Sequence, residues 1–243
     1  MTTPTEPEPR AAAVLVAAGS STRMQLPGGV RKPFVLLEGR AVLEHAAAAF
    51  DACAAVRELV VVCREEDAEA VRALAEGNPA FRKLTRVVPG GAERTDSVLA
   101  GVRAASDAVQ LVAVHDAARP LIRTATVAAA LAMAGDCGAA LVAAPVGDTI
   151  KHSSDGRRAE RTLDRSTLWA AQTPQVFDRG RLLALLERAA AEGFKPTDDA
   201  ALWERYVEPI ALVRGESTNL KLTTPTDLEV AAAILRARAA TDG

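Results

Sequence analysis

Short, continuous apolar segments alternate with segments of helical length along most of this 243-residue chain. Such apolar segments favour strands buried on both faces, because a half-exposed strand would alternate apolar and polar residues. Strands are predicted at 11–18, 57–63, 84–90, 110–116, 139–146, 209–215 and 219–224. Helices are predicted at 41–53, 65–77, 94–105, 124–136, 179–193, 198–207 and 224–240, the last capped by Thr224 with Pro225 at its first position. The alternation indicates an α/β fold with a doubly wound, mostly parallel sheet.

Two segments do not fit this pattern. Residues 1–10 are rich in proline and glutamate and are expected to form a disordered tail before a single domain at 11–240. Residues 147–169 are polar and contain the turn signal SSDGRR, which predicts two short strands. Such a polar hairpin buries little by itself. We therefore expect an arm at about 147–172 that pairs with a second subunit in a homodimer.

Composition excludes several classes of function. The formal net charge of −2 and the 3% aromatic content do not favour a nucleic-acid partner. Three cysteines without CxxC spacing do not indicate a disulfide framework or structural zinc, so a reducing cytoplasm is expected. No apolar run reaches 18 residues, so no membrane span is expected.

Charged and small residues follow several predicted strands at their carboxyl ends. These ends meet at one edge of a parallel sheet, where such folds bind ligands. The residues that we expect to converge there are Arg23, Lys32, Gly90, Gly91, Arg94, His115, Asp116, Arg119, Asp148, Thr149 and Lys151.

The loop after the first strand favours a triphosphate. Its GSSTRM sequence matches neither GxGxxG nor GxxxxGK[ST], but small residues allow backbone N–H groups to approach an anion. Arg23 and Lys32 add two cations with no acid beside them in the loop. A solvated loop with basic residues facing water is the alternative.

Seven motifs carry a family resemblance, in order from about Val14 to Leu228: AAGSSTRM with RKPF, GGAERTDSVLAGV, VHDAARP, APVGDTIK, LWAAQTPQVF, TDDAALWE and NLKLTTPTDL. Together they resemble the 2-C-methyl-D-erythritol 4-phosphate cytidylyltransferase family. The resemblance implies a nucleotide-diphospho-sugar transferase (Rossmann-like) fold and an Mg²⁺-dependent homodimer with exchanged arms. The implied reaction transfers CMP from CTP to methylerythritol phosphate and releases pyrophosphate, in non-mevalonate isoprenoid synthesis.

The same resemblance implies roles for individual residues. The implied catalytic cations are Arg23, Lys32 and Lys221. The implied CTP-binding residues are Ala17, Ala18, Gly19, Ser20, Gly91, Arg94, Ser97 and Asp116, of which Asp116 also binds Mg²⁺. The residues implied to hold the acceptor are Arg119, Thr149, Arg165, Thr173 and Thr197, with Arg165 acting on the partner subunit's substrate.

Several of these residues have plainer interpretations. Asp116 could be a helix N-cap, Lys221 the solvent side of a strand, and Arg165 a surface charge. LPGGV looks like a two-residue insertion relative to the family pattern. Either Arg31 or Lys32 could therefore fill the family's lysine position; Lys32 is favoured because PF and a strand follow it.

Three other functions compete with this prediction. A cytidylyltransferase acting on ribitol 5-phosphate would share the nucleotide-binding motifs, and DTIK, QTPQ and TDDA favour methylerythritol phosphate. A non-catalytic nucleotide-binding protein would not need the four charged residues Arg23, Lys32, Asp116 and Lys221. A nicotinamide oxidoreductase would carry GxGxxG after the first strand and an acid at the end of the 57–63 strand.

Overall fold

A computed structural model describes residues 10–19, 24 and 30–241. The predicted disordered tail therefore lies outside the described residues except for Arg10, as do Ser20 and Arg23 of the first loop. Among the described residues, no helix combines the length and apolarity needed to cross a membrane.

A seven-stranded sheet forms the centre of the molecule. Its strands are β1 (Ala11–Val16), β4 (Val56–Cys63), β5 (Leu84–Pro89), β6 (Leu111–Asp116), β7 (Ala139–Pro145), β10 (Trp169–Asp178) and β11 (Ala211–Arg214). They lie in the order β11-β7-β10-β6-β1-β4-β5. All neighbours are parallel except β10, which runs antiparallel to both β6 and β7. The predicted doubly wound, mostly parallel α/β fold is confirmed.

Helices cover both faces of this sheet. The sheet faces are covered by α1 (Val42–Asp51), α2 (Ala68–Ala75), α3 (Arg94–Ala104), α4 (Thr124–Cys137), α5 (Arg179–Glu192) and α6 (Ala200–Tyr206), and α7 (Pro225–Thr241) lies elsewhere. Alternate residues of β1 enter different cores: Leu15 packs with α1, α2 and α4, whereas Val14 packs with α3, α5 and α6. A Cβ at Gly101 of α3 would lie 2.3 Å from Val14 Cγ1, so glycine permits α3 to approach the sheet closely.

A short hairpin precedes α1, and α7 packs over it. Its strands are β2 (Leu36–Leu37) and β3 (Arg40–Ala41), and Leu37 and Val42 join Leu222 and Ala231 in a third core cluster. This cluster brings the segment before α7 close to the segment after the first loop.

One strand is not predicted from the sequence, and one of the predicted strands is wrong. Residues 169–178 form the long strand β10, which its sequence WAAQTPQVFD conceals because Gln172, Pro174 and Gln175 interrupt the apolar pattern. Residues 219–224 are irregular instead of a strand. There Leu222 N–H bonds to Ala118 O, after β6, so the segment crosses the carboxyl edge of the sheet.

The predicted polar hairpin is present. β8 (Lys151–His152) pairs antiparallel with β9 (Arg161–Thr162), and the turn between them is exposed. The hairpin follows β7, as the sequence predicts, and precedes β10. Its pairing with a second subunit, and the single-domain assignment of 11–240, stay predictions.

Candidate active site

A cavity of about 490 Å³ opens at the carboxyl ends of β1, β4, β5 and β6. Its volume lies in the range of small-molecule sites. Among the residues lining it are ten of those predicted for the site, namely Ala17, Ala18, Gly19, Lys32, Gly90, Gly91, Arg94, Ser97, Asp116 and Lys221. The structure thus brings together the predicted cations and nucleotide-binding residues that it describes.

Asp116 lies at the end of β6 and contacts two cations. Lys221 Nζ donates to its Oδ2 at 2.6 Å, and Arg94 Nε donates to its Oδ1 at 3.2 Å. Burial alone would raise the pKa of Asp116, but the charges of Arg94 and Lys221 outweigh burial and hold the pKa well below its usual value. Asp116 is therefore ionised at neutral pH and contributes a fixed negative charge to the cavity wall.

Arg94 also pairs with a second carboxylate. Asp199 Oδ1 accepts a hydrogen bond from Nη1 at 3.0 Å, and Asp199 Oδ2 lies 2.9 Å from Nη2. Burial would lower the pKa of Arg94, but Asp199 and Asp116 raise it above its ordinary value. Asp199 was not among the predicted site residues, although the motif TDDA contains it.

Lys32 and Arg31 point to different neighbours. Lys32 lines the cavity, and its Nζ donates to Leu222 O at 2.7 Å. Arg31 instead pairs with Asp67 at 2.8 Å and with Glu66 at 3.1 Å, just before α2. Of the two alternatives for the family's lysine position, this geometry favours Lys32.

The turn between β5 and α3 forms another wall of the cavity. Gly91 N–H donates to Ser97 Oγ at 3.1 Å, and Ser97 Oγ donates to Glu93 O at 3.2 Å. A Cβ at Gly90 would lie 2.5 Å from Ala18 Cβ and 2.7 Å from Ser97 Oγ. Glycine is therefore required for this turn to approach the first loop so closely.

Thr173 is buried and hydrogen-bonded within the protein. Asp116 N–H donates to Thr173 Oγ1 at 3.1 Å, and Oγ1 lies 3.0 Å from His115 Nδ1. His115 Nε2 lies 3.1 Å from Arg119 O, a pure acceptor, so Nε2 carries the proton and Nδ1 accepts from Thr173. Burial lowers the pKa of His115 to about 4, so the ring is neutral at pH 7.

The other residues predicted to hold the acceptor lie outside the cavity lining. Arg119 is half-buried and donates from Nη1 to Asn219 O at 2.7 Å. Arg165 lies at the base of the hairpin and donates to Gly147 O at 2.7 Å. Thr149 and Thr197 are exposed. Their contact with an acceptor stays a prediction.

The model of one protein family, IspD: 2-C-methyl-D-erythritol 4-phosphate cytidylyltransferase, matches residues 11–237. The chain belongs to this family. A cytidylyltransferase with this name from Symbiobacterium thermophilum is 45% identical over 226 residues, which are 93% of each chain. A second, from Bacillus licheniformis, is 41% identical and covers 92% of this chain and 95% of its own.

Solved structures of the cytidylyltransferase family share the fold. The crystal structure of the Anaerococcus prevotii synthase has a TM-score of 0.83 at 28% identity, and it covers 94% of this chain and 97% of its own. The crystal structure of the Thermus thermophilus enzyme has a TM-score of 0.73 at 34% identity, and it covers 92% of this chain and 98% of its own.

Proposed function

We propose that this chain transfers CMP from CTP to 2-C-methyl-D-erythritol 4-phosphate and releases pyrophosphate, within isoprenoid precursor synthesis. Family membership supports this reaction. The observation that carries it is the cavity at the carboxyl edge of the sheet, where Lys32, Arg94 and Lys221 line the wall together with Asp116, which pairs with Arg94 and Lys221.

This cluster of charges suits nucleotidyl transfer. A phosphate oxygen of the acceptor forms a bond to the α-phosphorus of CTP, while the bond from that phosphorus to the oxygen bridging to the β-phosphate breaks. A phosphate monoester has a second pKa of about 6, so the nucleophile is already an anion at pH 7 and needs no general base. The protein must align the two groups and stabilise charge on the phosphates, as Lys32 and Lys221 would do. Arg23, outside the described residues, is proposed as a third cation.

The side chains of the cavity fit an Mg²⁺ ion that is bound mainly by the phosphates of the nucleotide. Among the described residues, no three His, Cys, Asp or Glu side chains converge on a metal position. Mg²⁺ commonly takes one or two carboxylates and completes its shell with substrate phosphates and water. Asp116, ionised and on the cavity wall, is the residue proposed to hold the ion. Bound Mg²⁺ would neutralise phosphate charge.

A second subunit is proposed to contribute to the site that binds the acceptor. The hairpin of β8 and β9 is exposed and polar, and Arg165 lies at its base. We propose that these arms are exchanged in a homodimer and that Arg165 contacts the acceptor in the partner's site. A cytoplasmic location is also proposed, in keeping with the three free cysteines.

A pyrophosphate-release assay tests the reaction directly. The purified chain with Mg²⁺ and CTP should turn over rapidly with methylerythritol phosphate, and slowly with ribitol 5-phosphate. ATP, GTP and UTP replace CTP as nucleotide controls. Faster turnover with ribitol 5-phosphate would overturn the proposed acceptor, and no release with either acceptor would overturn the proposed reaction.

A further inference from the structure

Asp199 is a buried acid that pairs with an arginine of the cavity. It lies immediately before α6 and is only 1% exposed. It is not among the residues that line the cavity, whereas its partner Arg94 is. Asp199 can therefore position a bound nucleotide only through another side chain.

The contact between the two side chains is end-on. Each carboxylate oxygen of Asp199 lies within 3.0 Å of a terminal guanidinium nitrogen of Arg94. Burial raises the pKa of Asp199, and the charge of Arg94 opposes that rise. Because a proton on either oxygen would face a guanidinium N–H group, these short contacts favour the ionised acid. Arg94 has five N–H donors, and these contacts with the one to Asp116 involve all three of its nitrogens. The guanidinium is thus held between two carboxylates in a fixed plane.

The two acids of the TDDA motif have different partners. Asp198 Oδ1 accepts from Ala201 N–H at 3.0 Å and Oδ2 accepts from Gln175 Nε2 at 2.9 Å. Gln175 Oε1 in turn accepts from Ala200 N–H at 2.8 Å. Asp198 therefore fixes the start of α6 to β10. Asp199 makes no capping hydrogen bond to α6, so its carboxylate is directed to Arg94.

Four charges of alternating sign form a continuous chain. Asp199 pairs with Arg94, Arg94 with Asp116, and Asp116 with Lys221. The members come from the starts of α6 and α3, the end of β6 and the segment before α7. Their formal charges sum to zero. Without the charge of Asp199, Asp116 alone would have to balance the positive charges of both Arg94 and Lys221.

We propose that Asp199 is a positioning residue: it orients Arg94 and, through Arg94, the carboxylate of Asp116 toward the nucleotide. This inference deepens the proposed function and rests on it. Asp199 does not touch the nucleotide, and the buried carboxylate acts by fixing the position of the guanidinium. Small displacements of groups that align substrates lower rates by factors of about 10².

The first test compares two neighbouring substitutions in the full-length chain. Asp199→Asn should lower kcat/KM for CTP about 10²-fold, because an amide N–H would face the guanidinium donors. The KM for methylerythritol phosphate should change by less than about threefold, since the contact lies on the nucleotide side. The matched control is Asp198→Asn, which also places an amide N–H against a hydrogen-bond donor, either Ala201 N–H or Gln175 Nε2, but leaves the contact with Arg94 intact. Its kcat/KM for CTP should fall by less than about fivefold.

A double-variant cycle separates positioning from a general structural role. Arg94→Gln should lower kcat/KM, and adding Asp199→Asn should change it by less than about twofold, because the two residues act as a unit. The double variant contains no unpaired buried charge, so it stays testable if a single variant does not fold. Titration calorimetry with CTP and Mg²⁺ should give one nucleotide per chain for each folded variant, with the Kd for CTP raised in Asp199→Asn and close to the wild-type value in Asp198→Asn.

Three results would overturn the proposal. These are wild-type kinetics for Asp199→Asn, an equal loss in Asp198→Asn, or losses that multiply in the double variant. Wild-type activity with the two acceptors is measured alongside. An inactive wild type would contradict the proposed function, whereas the CTP titrations of the variants would still report on Asp199.

Discussion

At the scale of single residues, Lys32 connects parts of the site that are 190 positions apart in sequence. Its Nζ donates to Leu222 O, next to Lys221, and both side chains line the cavity. Lys32→Ala removes a cation already in place before the phosphates arrive, so kcat should fall about 10²-fold with the fold retained. Steady-state pyrophosphate release measures kcat, and circular dichroism shows whether the fold is retained.

The control for Lys32 is its neighbour. Arg31 pairs with exposed Glu66 and buried Asp67, so Arg31→Ala should lower the free energy of unfolding but leave kcat within about threefold of wild type. A larger loss in Arg31→Ala than in Lys32→Ala would assign the catalytic position to Arg31.

Substitutions of Thr173 distinguish a structural hydrogen bond from a direct contact with the acceptor. Thr173→Val preserves the shape but leaves the N–H of Asp116 without its partner, so the free energy of unfolding should fall by about 1–3 kcal/mol. Thr173→Ser keeps the hydroxyl and should retain most of the stability. Urea unfolding measures both variants. Unchanged stability of Thr173→Val with a raised KM for methylerythritol phosphate would instead support a direct contact with the acceptor.

The sequence identifies residues of the site more readily than their partners. Asp116 and Lys221 are predictable because each stands in a recognisable motif where a strand ends or a segment crosses the edge of the sheet. Asp199 is not, since its partner Arg94 lies 105 positions away and its neighbour Asp198 has the same side chain. Which of two adjacent acids faces the arginine depends on how α6 begins.

At the scale of elements, the start of α7 fixes the segment that carries Lys221. Asp227 Oδ2 accepts from the N–H groups of Thr223 and Thr224 at 2.6 and 2.7 Å. Asp227→Ala should lower the free energy of unfolding at pH 7 by about 1 kcal/mol, as the loss of a helix cap does. Activity should fall as well, because the segment is less firmly held.

This stabilisation by Asp227 depends on pH. Burial would raise the pKa of Asp227, but the hydrogen bonds from Thr223 and Thr224 outweigh burial and lower it. A carboxylate whose pKa is lowered by folding stabilises the protein above its unfolded pKa of about 3.9 and loses that effect as pH falls through the folded pKa. Urea unfolding should show a difference between wild type and Asp227→Ala that is full at pH 7 and shrinks below about pH 4. A difference independent of pH would contradict the role of the charge.

The elements predicted correctly are those whose amino-acid pattern directly reflects how they are buried. β1, β4, β6 and β7 are continuous apolar runs, since both of their faces are covered by helices. β10 contains polar Gln172 and Gln175, because its side chains hold Asn219 and the start of α6. Residues 219–224 alternate like a strand, yet they form no strand ladder: Leu222 N–H bonds to Ala118 O after β6, and the side chain of Lys221 bonds to Asp116. Both errors thus lie beside the candidate site.

At the scale of the whole molecule, the contacts within one chain do not account for the polar hairpin. β8 and β9 are two residues each, and the turn between them is exposed. The hairpin leaves the sheet after β7 and returns to it at β10, with Arg165 at its base. An arm of this kind can supply residues to a neighbouring subunit without disturbing the core of its own.

Mixed dimers test whether Arg165 acts in the partner's site. One chain carries Lys32→Ala, the other Arg165→Ala, and differently tagged copies are purified as a heterodimer. If Arg165 serves the partner's site, one of the two sites contains both native residues, and activity should recover to about half of the wild-type value. If Arg165 serves its own site, neither site is intact and activity stays at the level of the single variants. Failure of the tagged chains to co-purify would contradict the homodimer itself.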